Sequence, residues 1–161
     1  MPAKKLTEFL NSNNVQYESI SHSTAYTAQE IAALSHTPGR DLAKTVIVNI
    51  DGDLAMAVLP ASHMADLRLL TDATGAESVE LASEQDFRER FPECATGAMP
   101  PFGNLYGMEV FVDESLTKDK EITFNAGSHN ELVRIAFKDF DRLVEPTVVR
   151  FVRPVHDALA A

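Results

Sequence analysis

Nine residues, Leu42-Ala43-Lys44-Thr45-Val46-Ile47-Val48-Asn49-Ile50, constrain this chain more than any others. Aliphatic and β-branched residues dominate them, as a pleated core strand requires. Asp51-Gly52 follows, then a second apolar run from Leu54 to Leu59, ended by Pro60. Two residues that tolerate positive φ between two such runs specify a β-hairpin. Side chains on a strand alternate faces, so Lys44 shares a face with Val46, Val48 and Ile50. An ammonium beside that aliphatic row is partly desolvated, which disfavours its charged form and lowers its pKa. Lys44 is then either an edge residue snorkelling to water or a site residue, and the strand alone favours the first.

Around this hairpin the pattern mixes helices and strands. Leu6, Phe9 and Leu10 share one face of a helix over about residues 3–12, closed by Asn11-Ser12-Asn13-Asn14. Residues 15–20 read as a short strand. Thr27-Ala28-Gln29-Glu30 is a capping box opening a helix to about Ser35. Ser62 is expected to cap a helix carrying Met64, Leu67, Leu69 and Leu70 and closing near Gly75. Residues 78–81 form a strand, and Ser83 caps a helix with Phe87 and Phe91. Met108–Val112, Glu121–Phe124 and Leu132–Phe137 are further strands, residues 138–144 a short helix, and residues 148–152 a last strand. Hairpins interleaved with helices favour an α+β fold over a doubly wound parallel sheet.

With 161 residues, 45% hydrophobic and 24% charged, the chain suits a single domain spanning 1–161. No apolar run approaches the ~20 residues of a membrane span, and Met1-Pro2-Ala3-Lys4-Lys5 leads into an amphipathic helix, not a signal core. A cytoplasmic location is expected. The net charge of −10 argues against broad nucleic-acid binding, which needs basic surface, but leaves room for a local grip on one end of an RNA. The lone cysteine, Cys94, excludes an internal disulfide and reads as a packing residue.

Several constellations fail. Gly39 to Thr45 lacks the glycine before the lysine and runs into a strand, not a helix, so it is no phosphate loop. The five histidines, His22, His36, His63, His129 and His156, show no metal-ligand spacing, and no metal or other cofactor is expected. Ser128-His129 lacks a nucleophile elbow. Two loops read either as plain turns or as pocket walls. Gly97-Ala98-Met99-Pro100-Pro101-Phe102-Gly103 is stiffened by two prolines that also remove donors. Asn125-Ala126-Gly127-Ser128-His129-Asn130 joins two strands and reads first as a hairpin turn.

Taken together, the Lys44 strand with its Asp51-Gly52 hairpin, the Gly97-Ala98-Met99-Pro100-Pro101 loop and the Phe124-Asn125-Ala126-Gly127-Ser128-His129 segment resemble the YbaK/ProX family of aminoacyl-tRNA deacylases. That family is related to the editing domain of bacterial prolyl-tRNA synthetases. Gly97 to Pro101 looks like its Gly-x-x-x-Pro loop. Ser21-His22-Ser23 and the Thr27 helix are also similar. Pro100 departs from the small hydroxyl residue often found there, a difference that bears on substrate class. The resemblance implies an α+β fold around a mixed, barrel-like sheet flanked by helices. It implies hydrolysis of the ester between a wrong, small amino acid and the 3′ end of a proline-type tRNA, with a synthetase such as prolyl-tRNA synthetase as an expected partner. Lys44 is then the catalytic residue, and Gly97, Pro101, Gly127, Ser128, His129 and His22 line the substrate site. The alternatives are a non-catalytic module that holds the aminoacyl-tRNA end and a small-molecule pocket unrelated to tRNA.

Overall fold

The computed structural model describes residues 3–21 and 42–154. Helix α1 (Lys4–Ser12) buries Leu6 and Leu10 and stops where Asn14 turns to φ 56°. Strands β1 (Glu18–Ser21), β2 (Leu42–Ile50), β3 (Asp53–Pro60), β6 (Glu109–Asp113), β7 (Glu121–Asn125), β8 (Glu131–Ala136) and β9 (Thr147–Val149) form a mixed sheet in the order β1-β8-β7-β2-β3-β6-β9. A short β5 (Val79–Leu81) adds to β2. The sheet is open, with β1 and β9 at its two ends. β4 (His63–Ala65) pairs separately with β10 (Val152–Pro154).

The β2–β3 hairpin forms as its sequence demands. Asp51 and Gly52 both take positive φ, 50° and 98°, and Ile50 pairs with Asp53. The Asp51 carboxylate accepts from the backbone N–H of Glu77 and Ser78, and its own N–H donates to Ser78 O. This carboxylate fixes where β5 joins β2.

Two layers cover the sheet. On one face α1, α3 (Glu84–Phe87) and α4 (Phe137–Val144) pack with Met56, Val58, Val110, Ile122, Phe124, Val133 and Ile135. Phe102 sits at the centre of this layer, fully buried, with ring centroids 6.1 Å from Phe9, 5.4 Å from Phe124 and 5.7 Å from Phe140. Gly103 follows it; a Cβ there would stand 2.4 Å from Met108 O and 2.6 Å from Val110 Cγ2, so only glycine fits. On the other face Leu70 of α2 (Leu67–Thr74) and Phe151 pack on Val48, Ala57, Leu59 and Phe111.

Two local expectations are corrected. Asp66, not Ser62, caps α2, accepting from the N–H of Arg68 and Leu69; residues 63–65 are drawn into β4, and Ser62 Oγ lies 2.9 Å from His63 Nδ1. The expected strand over 148–152 divides into β9 and β10 because buried Asp113 Oδ1 accepts the Phe151 N–H at 3.0 Å and turns that ring into the core. The helix expected from Thr27, like His22, His36 and His156, lies outside the described residues.

Phe102→Ala removes a whole ring from the centre of one layer. The expected loss is about 3–5 kcal/mol in urea unfolding; a loss below about 1 kcal/mol would show that the layer does not depend on it.

Candidate functional site

Lys44 stands near the start of β2, opposite Leu59 of β3. Among the described residues, the other edge of β2 is bridged only at its two ends. β7 runs parallel beside Leu42 and Ala43, and β5 runs antiparallel beside Val48 to Ile50. Ala82 N–H closes onto Ile47 O at 3.0 Å. Backbone groups alternate direction along a strand, and the two-residue hairpin points those of Ile50, Val48, Val46 and Lys44 toward β3. Thr45 therefore turns its N–H and C=O to the unbridged stretch. Lys44 is half-buried at that opening, and burial alone holds its pKa below the ordinary lysine value.

Two loops border the same end of β7. Gly127 follows β7 with φ 102°. Its N–H donates to Ala98 O at 2.8 Å, and its carbonyl accepts from Ala95 N–H at 2.7 Å. The β7–β8 turn and the Gly97 loop are thereby zipped together. His129 adds a third tie, Nε2–H to Thr96 O at 2.9 Å; a carbonyl only accepts, so this nitrogen carries the proton. A Cβ on Gly97 would lie 3.6 Å from His129 Cε1. Ala3, just before α1, donates its N–H to Ala126 O at 2.7 Å, and a Cβ on Gly127 would meet Ala3 Cβ at 2.9 Å. Ser128 Oγ donates to Asn130 Oδ1 at 2.8 Å, within the turn itself.

The structure thus brings Gly97, Gly127 and His129 into direct contact or hydrogen-bonded register, with Ser128 beside them, and sets Lys44 next to the end of β7 from which they spring. Pro101 is buried and anchors the wall through its neighbour Phe102. His22 lies outside the described residues. The wall's donors are few: Ala98 N–H is spent on Ala95 O, Pro100 and Pro101 have none, and among the described residues Gly97 N–H meets only Met99 Sδ, at 3.2 Å. A thioether is a weak acceptor, so Gly97 N–H is the donor most readily given to an incoming oxygen. Sequence reasoning passed over three positions. Ala3 and Thr96 act through backbone atoms, which leave no sequence signal. Asn125 was quoted only as part of its loop, although a polar residue closing an apolar strand just before a glycine turn is a usable sign.

Cys94 is not placed to react. Burial raises its thiol pKa, and Sγ sits 3.8 Å from Tyr106 Oη. Among the described residues there is no His, Cys, Asp or Glu cluster able to hold a metal, and no helix long and apolar enough to cross a membrane.

A family model described as the aminoacyl-tRNA editing domain matches residues 22–143. The chain is 26% identical over 155 residues to a multifunctional Ser/Thr-tRNA deacylase, ProXp-y, of Escherichia coli strain K12, covering 93% of this chain and 92% of that protein. A solved structure described as a candidate trans-editing enzyme for prolyl-tRNA synthetase superposes with TM-score 0.80 at 20% identity, over 94% of this chain and 96% of that one. The crystal structure of hypothetical protein APE2540 gives 0.82 at 20% identity, over 93% and 100%. At these identities both structures speak for the fold alone.

Lys44→Met keeps the stem and removes the half-buried charge. A lysine pKa lowered by folding means that the unfolded chain binds more protons between the two values, so the penalty is full below the folded pKa and fades as pH rises toward 10.5. The expected variant unfolds at the same or higher urea than the wild type at pH 7, with the gap narrowing by pH 10. A clearly lower midpoint at pH 7 would mean that the ammonium stabilises the fold.

Proposed function

This chain belongs to the aminoacyl-tRNA editing domain family, and from that premise we propose that it clears a small, wrongly attached amino acid from tRNA, with Lys44 at the reacting ester. Family membership makes the reaction aminoacyl-tRNA deacylation: water adds to the ester carbonyl, the bond to the terminal ribose oxygen breaks, and that oxygen takes the proton. Free amino acid and intact tRNA leave.

The observation that carries the site is a half-buried ammonium at the unbridged edge of β2, beside two loops zipped through Gly127. An aminoacyl ester is already activated and needs no covalent nucleophile. It needs a placed water and stabilisation of the carbonyl oxygen's developing charge. Lys44 supplies a cation in a partly desolvated place, where it acts more strongly than in water. Gly97 N–H exchanges its sulfur contact for the same oxygen. Gly127, Pro101 and Ser128 shape the wall. His129 braces it through Thr96, and His22 completes the site in this reading.

A proline-type tRNA carrying a small amino acid is the substrate proposed here, with prolyl-tRNA synthetase as the source of the error and the protein at work in the cytoplasm. The relative's name adds serine and threonine esters to the set to be tested. A pocket rejects a smaller side chain weakly, by roughly 10- to 200-fold, which is why a second enzyme to remove it is useful. The −10 net charge disfavours broad contact along the tRNA and suits a local grip on its acceptor end.

The test is release of labelled amino acid from a panel of correctly and wrongly charged tRNAs. Selective release is expected, falling by about 100-fold or more in Lys44→Ala while circular dichroism stays unchanged. Full activity in that variant would reject Lys44 as the catalytic residue. Tight binding of charged tRNA without release by the wild type would replace the hydrolase with a non-catalytic module.

A further inference from the structure

Asn125 closes β7 two residues before Gly127. The parallel register sets Leu42 beside Thr123 and Ala43 beside Phe124. One residue further, Lys44 and Asn125 take the next positions on these two neighbouring strands, just past the last paired residues. Their faces agree. Ala43 and Phe124 lie together in the larger core layer, whereas Leu42 and Leu132, the partner of Asn125 on β8, share a small cluster on the opposite face. Lys44 and Asn125 therefore rise from the same side of the sheet.

Asn125 Oδ1 is buried and has no hydrogen-bond partner among the described residues. Buried side-chain oxygens in native proteins are normally satisfied, and one left open calls for an explanation. An acceptor on the strand next to a donor, on the same face of the sheet, matches one chemistry closely. An α-amino ester carries an acceptor, its carbonyl oxygen, and a donor, its amino nitrogen, on adjacent carbons.

We propose that Asn125 Oδ1 accepts a hydrogen bond from the free α-amino group of the esterified amino acid while Lys44 donates to the ester carbonyl. This rests on the deacylase reading above and adds a selectivity to it. An ester whose nitrogen is acylated, as in peptidyl-tRNA or a formylated initiator tRNA, loses the charged donor and brings bulk to Asn125. The site then hydrolyses aminoacyl esters and spares chains under synthesis.

The experiment compares three tRNA substrates bearing the same released amino acid: the free aminoacyl ester, its N-acetyl form, and the free ester on a terminal 2′-deoxyadenosine. Each catalysed rate is divided by that ester's spontaneous rate. In the wild type, N-acetylation is expected to lower kcat/KM by about 10- to 100-fold, the range of one hydrogen bond to a charged group. In Asn125→Ala the free ester falls by a similar factor and the two esters become nearly equal. Asn125→Asp, which keeps the acceptor, restores the preference. Equal losses for both esters in Asn125→Ala would reduce Asn125 to a structural part. A preference abolished by the 2′-deoxy change, and not by acetylation, would assign the acceptor to the ribose hydroxyl and overturn the proposal. A wild type that hydrolyses both esters alike overturns this inference and leaves the deacylase standing. A wild type that hydrolyses neither overturns both.

Discussion

The arrangement depends on how one edge of β2 is bridged. A strand inside a sheet is ordinarily hydrogen-bonded along both sides. Here β3 pairs with β2 over eight residues, from Ala43 to Ile50, while the opposite side meets β7 for two and β5 for three. The interval between, unbridged among the described residues, is where Thr45 directs its backbone groups, and Lys44 precedes it beside the end of β7. Two restraints hold it open. The Asp51 carboxylate pins the start of β5 through Glu77 and Ser78, so that β5 reaches only the far end of β2. Gly127, zipped to Ala95 and Ala98, turns the chain away from β2 just past Asn125. A strand edge left unbridged among the described residues is a place for another polar chain or ligand to bind.

Stability and site are joined through Phe102. The loop bearing Gly97 holds no regular structure until Gly103, yet Phe102 drives its end into the aromatic layer with Phe9, Phe124 and Phe140. Phe124 is the neighbour of Asn125, and Phe9 belongs to the helix whose preceding Ala3 seals Gly127. One aromatic cluster thus fixes the wall, the end of β7 and the N-terminal helix together. The cost of half-burying Lys44 is offset by the apolar burial in the two layers elsewhere.

The local parts of this were legible in the residues. Leu42–Ile50 with Asp51-Gly52 announces a hairpin because period and turn chemistry are written in adjacent positions, and the Ser83 cap with Asp86 at N3 is equally local. Mixed pairing was expected only through resemblance, since nothing in β2 alone says that β7 will lie parallel to it. The tail was misread because Val148 to Val152 has strand composition throughout, and only a carboxylate 38 residues earlier interrupts it. Ser62 looked like a cap for the same reason: it precedes an apolar run, but β10 claims the first three residues of that run for pairing. At the site, Lys44 and the glycine loops were visible as residue types in order. Their union through Ala98, Thr96 and Ala3 is made by backbone atoms and was not.

The central claim is that an aminoacyl ester sits between Lys44 and the loops joined at Gly127. The most direct measurement is a crystal structure of the protein with an amide-linked, non-hydrolysable aminoacyl-adenosine. The account predicts the amide carbonyl oxygen within about 3 Å of Lys44 Nζ, with the side chain against Gly97 and Gly127. The analogue seated elsewhere would contradict it, for instance in the open cleft of about 440 Å³ lined by Lys4, Lys5, Pro92, Glu93 and Tyr106.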